Sequence, residues 1–530
     1  MSEDLDALII GAGFAGMYML HRLRNLGLNV LAVDEATGVG GTWYWNRYPG
    51  ARCDVESIEY SYSFSDELQQ EWNWPDKFSV QPEILKYANH VADRFDLRPL
   101  IRFNSRVESV KYDDEQSLWN VTTVRGDVYR AKYCIMATGT LSSVNEPKFE
   151  GVHTFKGEWY VTGRWPHESV DFSEKSVGII GTGSSAVQAI PVIAKQARHL
   201  TVFQRTANYS IPARNRPLEE EEVVAAKGIY ESIRKKARTS RAGIASTVIG
   251  EEGVMDVSEE ERLIELEKRW AEGGTNFLAA YSDVGTNEES NEIIANFVRD
   301  KIREVVNDSE TAELLAPTNT IGCKRLCADT DYYETYNRDN VTLLDVNKDP
   351  INRIVENGVQ TKNKTHKFDV IIYAIGFDAM TGALLAMDIQ GKSEVSLRDK
   401  WSDGPRTYLG LTSAGFPNMF TITGPGSPSV LSNMMTSIEQ HVGWIAECIE
   451  HMEANSYNTI EPDEESENDW MDHIEEIASD TLRYSCNSWY VGANIPGKRR
   501  IFMPYAGGVD KYAEKCDEIV AAGYEGFKFG

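Results

Sequence analysis

Two copies of one short pattern constrain the fold of this chain more than any other feature of its sequence. In each copy an apolar run leads into a glycine-rich turn, and an amphipathic stretch and a second apolar run follow. The turns lie at residues 11–16 and 181–186. Strand, glycine turn, helix and strand are the parts of a βαβ unit. The repeat predicts an α/β protein with two Rossmann-like dinucleotide-binding domains, and a helical stretch between about 218 and 306 predicts an insertion.

The first unit fits a nucleotide site in its glycines and in its second strand. Gly11, Gly13 and Gly16 occupy the three glycine positions of the GxGxxG pattern. Glycines there let the backbone approach a pyrophosphate on the helix N-terminus, where free N–H groups and the helix dipole favour anions. Asp34 ends the second strand, where a carboxylate can bond a ribose hydroxyl. We interpret this unit as an FAD site; the alternative is a tight turn without a ligand.

The second unit differs from the first at the end of its last strand. In place of a carboxylate the chain reads Gln204-Arg205-Thr206. An arginine and a hydroxyl bind a 2′-phosphate that a carboxylate would repel. We interpret this unit as an NADPH site, with an ordinary surface role for Arg205 as the alternative. Its candidate contacts are Gly181, Gly183, Ser184, Ser185, Arg205 and Thr206.

The charge and the cysteines limit the partners of the chain. The formal net charge is −27, whereas nucleic acids and anionic membranes attract basic surfaces. The N-terminus lacks the parts of a secretion signal, and no apolar run reaches the roughly 18 residues of a membrane span. Seven scattered cysteines form no CxxC pair, and Cys323 and Cys327 lack the second pair of a zinc site. We expect a cytoplasmic monomer or weak homo-oligomer with reduced thiols and no metal.

The segment after the first unit matches the signature of a known family. Residues 40–54 read GGTWYWNRYPGARCD and fill every fixed position of the pattern (A/G)GxWxxxx(F/Y)P(G/M)xxxD. The chain resembles the type I Baeyer–Villiger monooxygenases, and the resemblance extends over nearly its whole length. Further similar segments are Lys324-Arg325, residues 331–334, residues 424–429 and residues 488–494.

The resemblance implies an enzyme that uses FAD, NADPH and O₂ to insert oxygen next to a ketone carbonyl. An ester or lactone would form through a C4a-peroxyflavin, and thioethers could be sulfoxidised. Arg325 matches the family's stabiliser of the peroxide anion, and Asp54 matches the carboxylate that orients it. Lys324 resembles a second contact to the 2′-phosphate, and Trp489 a tryptophan of a mobile loop. The implied flavin contacts are Gly41, Thr42, Trp43, Trp45 and Tyr60, and the implied substrate wall is Pro428, Ser429, Val430, Leu431 and Met434.

One position departs from the family. Its second signature, FxGxxxHxxxW(P/D), has Phe155, Gly157, Trp165 and Pro166 in register, but the histidine position holds Val161. His153 and His167 lie nearby and out of register. In the family this histidine lies on the linker between the domains and couples their movement. The resemblance therefore implies that Val161 loosens this coupling and leaves cofactor binding intact.

The patterns and the resemblance divide the chain into five segments. Residues 1–140 and 377–530 are expected to form the FAD-binding domain, with a mobile substrate loop near 485–500. The NADPH-binding domain is expected at 141–208 and 331–376, and the helical insertion at 209–330. Within the insertion, Ser258 and Glu261 form a capping-box pattern ahead of an apolar stripe.

Two other functions share parts of this pattern. A flavin monooxygenase that oxidises amines or sulfides would have both nucleotide units but would lack Arg325, Asp54 and the 40–54 signature. A nucleotide-binding protein without oxygenase activity is the second alternative, which Val161 keeps open. A disulfide reductase is disfavoured, because tryptophans stand where its redox cysteine pair would follow the first unit.

Overall fold

The computed structural model describes residues 3–530 and forms both βαβ units. The strands are β1 Glu3–Ile10, β2 Val30–Val33, β3 Ile101–Arg102, β4 Val107–Asp113, β5 Leu118–Thr123, β6 Val128–Met136, β7 Glu158–Val161, β8 Ser176–Ile180, β9 His199–Gln204, β10 Ser210–Pro212, β11 Cys327–Asp329, β12 Val341–Asp345, β13 Ile351–Val355, β14 Gly358–Thr361, β15 Thr365–Lys367, β16 Val370–Tyr373, β17 Asp388–Gln390, β18 Met419–Thr421, β19 Ile460–Pro462 and β20 Phe527–Phe529. The helices are α1 Phe14–Asn25, α2 Thr42–Trp45, α3 Asp66–Glu71, α4 Gln81–Arg94, α5 Ser184–Gln196, α6 Glu220–Gly228, α7 Tyr230–Arg238, α8 Glu259–Glu272, α9 Glu288–Val305, α10 Ser309–Leu315, α11 Tyr332–Thr335, α12 Gly382–Leu385, α13 Leu397–Lys400, α14 Met434–Asn455, α15 Glu464–Ser479 and α16 Val509–Ala521.

The first sheet is built around β1. Its order is β17-β4-β5-β6-β1-β2-β3, and β18 also pairs with β6. Ala7 and Ile9 pack into the core on one face with α1 and α14, while Leu8 and Ile10 pack into the core on the other face. A strand with both faces covered needs a continuous apolar run, which explains the sequence of β1.

The second sheet is parallel throughout, in the order β12-β9-β8-β16-β7. Its two faces have separate cores, with Val370 and Ile372 on one side and Ile371 and Tyr373 on the other. The three-stranded antiparallel sheet β13-β14-β15 adds Ile354 and Val359 to the second of these cores. Each sheet has parallel strands at its centre and a glycine turn after one of them. These features confirm an α/β protein with two Rossmann-like domains.

The helices α6 to α10 lie between β10 and β11 in the sequence. Strands β10 and β11 pair with each other, so the segments before and after the helical insertion lie side by side. Ile294, Val298 and Ile302 of α9 pack into the core that contains one face of that sheet. The capping box at the start of α8 is confirmed: Ser258 Oγ accepts from the N–H of Glu261, whose side chain accepts from the N–H of Ser258.

The expectation of seven reduced thiols is wrong for two cysteines. Cys323 and Cys486, which are 163 positions apart, form a disulfide with a Cα–Cα distance of 5.7 Å. Spacing along the chain could not reveal this pair, because folding alone brings the two segments together. The other cysteines are free and buried: Cys53, Cys134, Cys327, Cys448 and Cys516. Across residues 3–530, no helix has the length and apolar character required to span a bilayer.

Candidate active site

The glycine turn of the first unit leads into α1 with its backbone packed closely against neighbouring segments. Gly11 has φ +112°, and a Cβ there would collide with the carbonyl oxygen of Ala137. The N-cap residue is Gly13, and no side chain caps the helix. The N–H groups of the first turn therefore have no side-chain cap, which suits a pyrophosphate.

Asp34 is held at the end of β2 by the glycine turn itself. Its two carboxylate oxygens accept from the N–H groups of Ala12 and Ala36 at 2.6 and 2.7 Å. Burial raises the pKa of Asp34, and these two hydrogen bonds act in the opposite direction. Each oxygen keeps a further lone pair, so the fixed carboxylate can also accept from a ribose hydroxyl.

The 40–54 signature packs directly against the first glycine turn. A Cβ on Gly13 would lie 3.4 Å from the Cα of Gly41. Trp43 and Tyr60 are buried in the core, where the Trp43 Nε1–H donates to the Tyr60 hydroxyl at 3.1 Å. The guanidinium of Arg164 lies over the ring of Trp45, 4.4 Å from the ring centre. Tyr60 also packs edge-on against Phe14, the first residue of α1, so the signature segment contacts the helix that follows the turn.

The second glycine turn lies beside the exposed end of β9. Helix α5 begins at Ser184 with Gly183 as N-cap, and no side chain caps it. The Thr182 hydroxyl donates to the carbonyl of Thr206 at 2.8 Å, which ties the turn to the end of β9. Gly183, Ser184, Arg205 and Thr206 are exposed, and Gly181 and Ser185 are half-buried.

Lys324 lies close enough to Arg205 for the two charges to repel each other. Burial lowers the pKa of Lys324, and the positive charge of Arg205 lowers it further. Neither side chain forms an ion pair with any acid among the described residues. Two neighbouring cations without a protein counter-charge suit an anionic ligand such as a 2′-phosphate.

Gln188 of α5 joins the two units. Its amide oxygen accepts from the Tyr48 hydroxyl at 2.8 Å, and its amide nitrogen donates to the carbonyl of Arg52 at 3.1 Å. A Cβ on Gly50 would collide with the Gln188 backbone. The signature loop is therefore docked onto the second unit just before Asp54. No local pattern indicates a role for Gln188, because its partners lie more than a hundred positions away.

Arg325 and Asp54 form a two-point ion pair between the units. Arg325 Nε and Nη2 donate to the two carboxylate oxygens at 2.5 and 3.0 Å, and Nη1 donates to the carbonyl of Val430 at 2.9 Å. Burial alone would lower the pKa of Arg325, but the Asp54 charge raises it above the ordinary range of arginine. The side chains remain 33% and 23% exposed, so the cation is fixed and still accessible.

The expected substrate wall lies beside this pair. Val430 and Leu431 share an apolar cluster with Trp489 and Tyr490. Pro428 and Ser429 are buried, and the Ser429 hydroxyl has no partner among the described residues. Met434 begins α14 and is half-buried.

Sequence reasoning missed Tyr490, whose side chain is 2% exposed. Burial raises its pKa, and the charges of Arg483 and Arg325 lower it. Its position next to Trp489 in a segment similar to the family was the available signal.

The loop near 485–500 is anchored at both ends. Cys486 is bonded to Cys323, directly before Lys324. At the other end, Lys498 Nζ donates to the Asp378 carboxylate at 2.6 Å and to the Thr381 hydroxyl at 2.7 Å. The loop therefore joins the cation segment to the chain that follows β16.

The second signature, residues 155–166, passes through a strand of the second sheet. Val161 is the last residue of β7, which pairs with β16 as the edge strand of the second sheet. It lies opposite Tyr373 and packs against the apolar cluster that contains Phe155. Trp165 is buried in the core on the other face, and Pro166 is half-buried. A Cβ on Gly157 would collide with Phe155, so this glycine permits the turn into β7.

The sequence of this chain is similar to a family model and to proteins of known activity. The model of the pyridine nucleotide-disulphide oxidoreductase family matches residues 8–241. Together with the two sheets and their open glycine turns, the match defines a two-dinucleotide flavoprotein fold. A Baeyer–Villiger monooxygenase of Pseudooceanicola batsensis is 42% identical over 99% of this chain and 96% of its own length. The chain belongs to the Baeyer–Villiger monooxygenase family.

Two further similarities bear on the chemistry. A phenazine N-monooxygenase of Lysobacter antibioticus is 42% identical over 98% of this chain and 96% of its own length. The solved structure of an oxidized steroid monooxygenase bound to NADP is 48% identical, covers 99% of both chains and has a TM-score of 0.96. The family therefore includes close relatives named for oxidation at nitrogen as well as at ketones.

Proposed function

We propose that this protein binds FAD and NADPH and inserts one oxygen atom of O₂ next to a ketone carbonyl, giving an ester or lactone. Bound FAD, reduced by NADPH, supplies the activation of oxygen. The observation that carries the proposal is the pairing of Arg325 with Asp54 at the junction of the two units, beside Val430. A preorganised cation stabilises an anionic oxygen nucleophile and the negative charge that develops on a ketone oxygen.

The two glycine turns would hold the two nucleotides. At the first turn, Gly11, Gly13 and Gly16 let the FAD pyrophosphate reach the α1 N-terminus, and Asp34 holds a ribose hydroxyl. At the second turn, Arg205, Thr206 and Lys324 would bind the 2′-phosphate of NADPH. We assign residues 1–140 and 377–530 to the FAD-binding domain, 141–208 and 331–376 to the NADPH-binding domain, and 209–330 to the insertion.

The substrate would lie between Arg325 and the wall formed by Val430, Leu431 and Trp489. This apolar cluster suits the hydrocarbon part of a ketone. The loop near 485–500 carries Trp489, so its movement would open and close the site.

Oxygen transfer to nitrogen or sulfur is a second candidate, favoured by the similarity to the phenazine N-monooxygenase. The two candidates differ in the nucleophile: a ketone requires an anionic oxygen beside a cation, whereas an amine attacks a protonated hydroperoxide.

A substrate panel tests both candidates. The purified protein, supplied with FAD and NADPH, is given a cyclic ketone, a linear ketone, an aryl ketone, a thioether and an aromatic N-heterocycle. We expect ketone-dependent NADPH oxidation with ester or lactone detected by mass spectrometry. N-oxide or sulfoxide without any ester would establish the second candidate, and no oxygenated product at all would refute both.

A further inference from the structure

Arg483 is a half-buried arginine whose charge has no partner among the described residues. It lies between α15 and the turn that carries Trp489 and Tyr490. Its Nε donates to the carbonyl of Gly322 at 3.0 Å, and its other side-chain nitrogens make no hydrogen bond or ion pair within residues 3–530. This arrangement leaves one face of the guanidinium available to a ligand.

The charges around Arg483 make this arrangement unfavourable without an anion. Burial lowers the pKa of Arg483, and the positive charges of Arg241 and Arg325 lower it further. Asp54, the carboxylate that pairs with Arg325, already accepts at both of its oxygens from that arginine. A half-buried cation among like charges is stabilised when a bound anion supplies the missing charge.

The protein nevertheless holds Arg483 in place. Gly322, which accepts its hydrogen bond, directly precedes Cys323, and Cys323 is bonded to Cys486 three positions beyond Arg483. The hydrogen bond and the disulfide therefore join the same two segments. A guanidinium fixed in this way loses less side-chain entropy on binding than a free surface arginine does.

Arg483 also belongs to the surroundings of the substrate wall. Gly322, which accepts the Arg483 hydrogen bond, lies three positions before Arg325, and Tyr490 belongs to the same apolar cluster as Val430. The charges of both Arg483 and Arg325 act on Tyr490. The cations assigned to the 2′-phosphate, Arg205 and Lys324, are a different pair. Arg483 therefore remains as a cation near the substrate without a nucleotide phosphate assigned to it.

We propose that Arg483 is a specificity-determining residue that binds a carboxylate carried by the ketone, so that this enzyme prefers keto acids to neutral ketones. The proposal rests on the proposed function. The carbonyl lies toward Arg325, the carboxylate pairs with the free face of Arg483, and the hydrocarbon between them lies along Val430 and Leu431. A guanidinium binds a carboxylate with two parallel hydrogen bonds, which supplies both affinity and orientation.

The test compares linear keto acids, beginning with levulinate, with their methyl esters. In the unchanged enzyme we expect higher kcat/KM for each acid than for its ester. Arg483→Gln should lower kcat/KM for the acids by on the order of 10- to 100-fold, mainly through KM, and should change the esters less than about twofold. Arg483→Lys should give an intermediate loss, because the charge remains and the two-point geometry does not. Arg398→Gln is the matched control, since Arg398 is exposed and also donates to a backbone carbonyl, that of Leu385.

Binding of heptanoate, measured by calorimetry against heptanamide, separates this proposal from the proposed function. We expect Arg483→Gln to weaken heptanoate alone, whether or not any ketone is turned over. Equal loss for acids and esters, with a lower melting temperature, would show that Arg483 only supports the Gly322 segment. An unchanged acid preference in Arg483→Gln, or no preference in the unchanged enzyme, would overturn the proposal.

Discussion

Arg325 and Asp54, which lie 271 positions apart in the sequence, meet in a two-point ion pair with distances of 2.5 and 3.0 Å. The pair joins the signature loop of the first unit to the segment that returns from the helical insertion. Since Nη1 of Arg325 also donates to Val430, the same side chain contacts the substrate wall. One arginine therefore connects three parts of the fold that must be positioned together for oxygen transfer.

Replacement of Arg325 should separate chemistry from cofactor binding. We expect Arg325→Ala to abolish ester formation while FAD content is retained, because Gly11, Gly13 and Asp34 lie elsewhere. Slow NADPH oxidation with release of H₂O₂ can persist. The melting temperature should fall modestly, since Asp54 loses its partner but remains partly exposed, at a cost of about 1–2 kcal/mol. Product analysis, the flavin spectrum and thermal unfolding measure these effects.

A matched pair of variants controls this experiment. Asp54→Asn keeps an acceptor but removes the charge that orients Arg325, so ester formation should fall without disappearing. Arg303→Ala removes an exposed, ion-paired arginine of α9 and should leave activity unchanged. Substantial ester formation by Arg325→Ala would remove Arg325 from the mechanism.

Arg205 should determine the choice between NADPH and NADH. We expect Arg205→Ala to raise the KM for NADPH by roughly 10-fold or more, because a charge-assisted contact to the 2′-phosphate is lost, and to leave the KM for NADH nearly unaltered. Arg198→Ala is the control, because Arg198 precedes the same strand and pairs with Asp369 instead. Equal weakening toward both cofactors in steady-state kinetics would contradict this assignment.

Asp329 should give the protein a specific pH dependence of stability. It is 4% exposed, and burial raises its pKa to about 6, against the hydrogen bonds from Ser210 and Tyr332. The folded protein therefore holds this proton more tightly than the unfolded chain does. The resulting stabilisation is complete below the ordinary pKa of aspartate and is lost as the pH rises through about 6.

Asp329→Asn tests this dependence because asparagine keeps an acceptor but cannot titrate. Between about pH 4.5 and pH 7.5, the unfolding free energy of the unchanged protein should fall by about 2 kcal/mol relative to this variant. Chemical denaturation at several pH values measures the difference. Asp339→Asn, at an exposed position whose charge is not among those acting on Asp329, should run parallel to the unchanged protein. If the unfolding free energies of the unchanged protein and Asp329→Asn differ by a constant amount across this pH range, the raised pKa of Asp329 is disproved.

Local patterns predicted the parts of the fold that depend on neighbouring residues. The apolar runs and glycines of 8–16 and 177–186 dictate strand, turn and helix within a short stretch, so both units could be predicted. The family resemblance also predicted that Asp54 orients Arg325, and the two side chains are in contact in the structure. Gln188, the Cys323–Cys486 disulfide and Arg483 could not be predicted, because each depends on a partner more than a hundred positions away.

At position 161 the sequence departs from the family signature. Val161 is the last residue of strand β7. Its side chain is half-buried at the edge of the second sheet, in register with Tyr373, whose hydroxyl is buried without a partner among the described residues. In a parallel sheet, paired residues project from the same face, so a side chain at position 161 lies beside Tyr373. Valine can offer that hydroxyl no hydrogen bond, whereas histidine can both donate and accept.

We therefore expect Val161→His to increase the fraction of NADPH converted to ester, to decrease H₂O₂ release, and to change the melting temperature at most modestly. Val161→Phe is the control, since it adds a ring of similar size without a hydrogen-bonding group. Stoichiometry of NADPH, ester and peroxide gives the coupling, and thermal unfolding gives the stability. If the imidazole finds no partner beside Tyr373, it should instead cost about 1–3 kcal/mol. A loss of that size without improved coupling would mean that this protein joins the strand to its neighbours by packing alone.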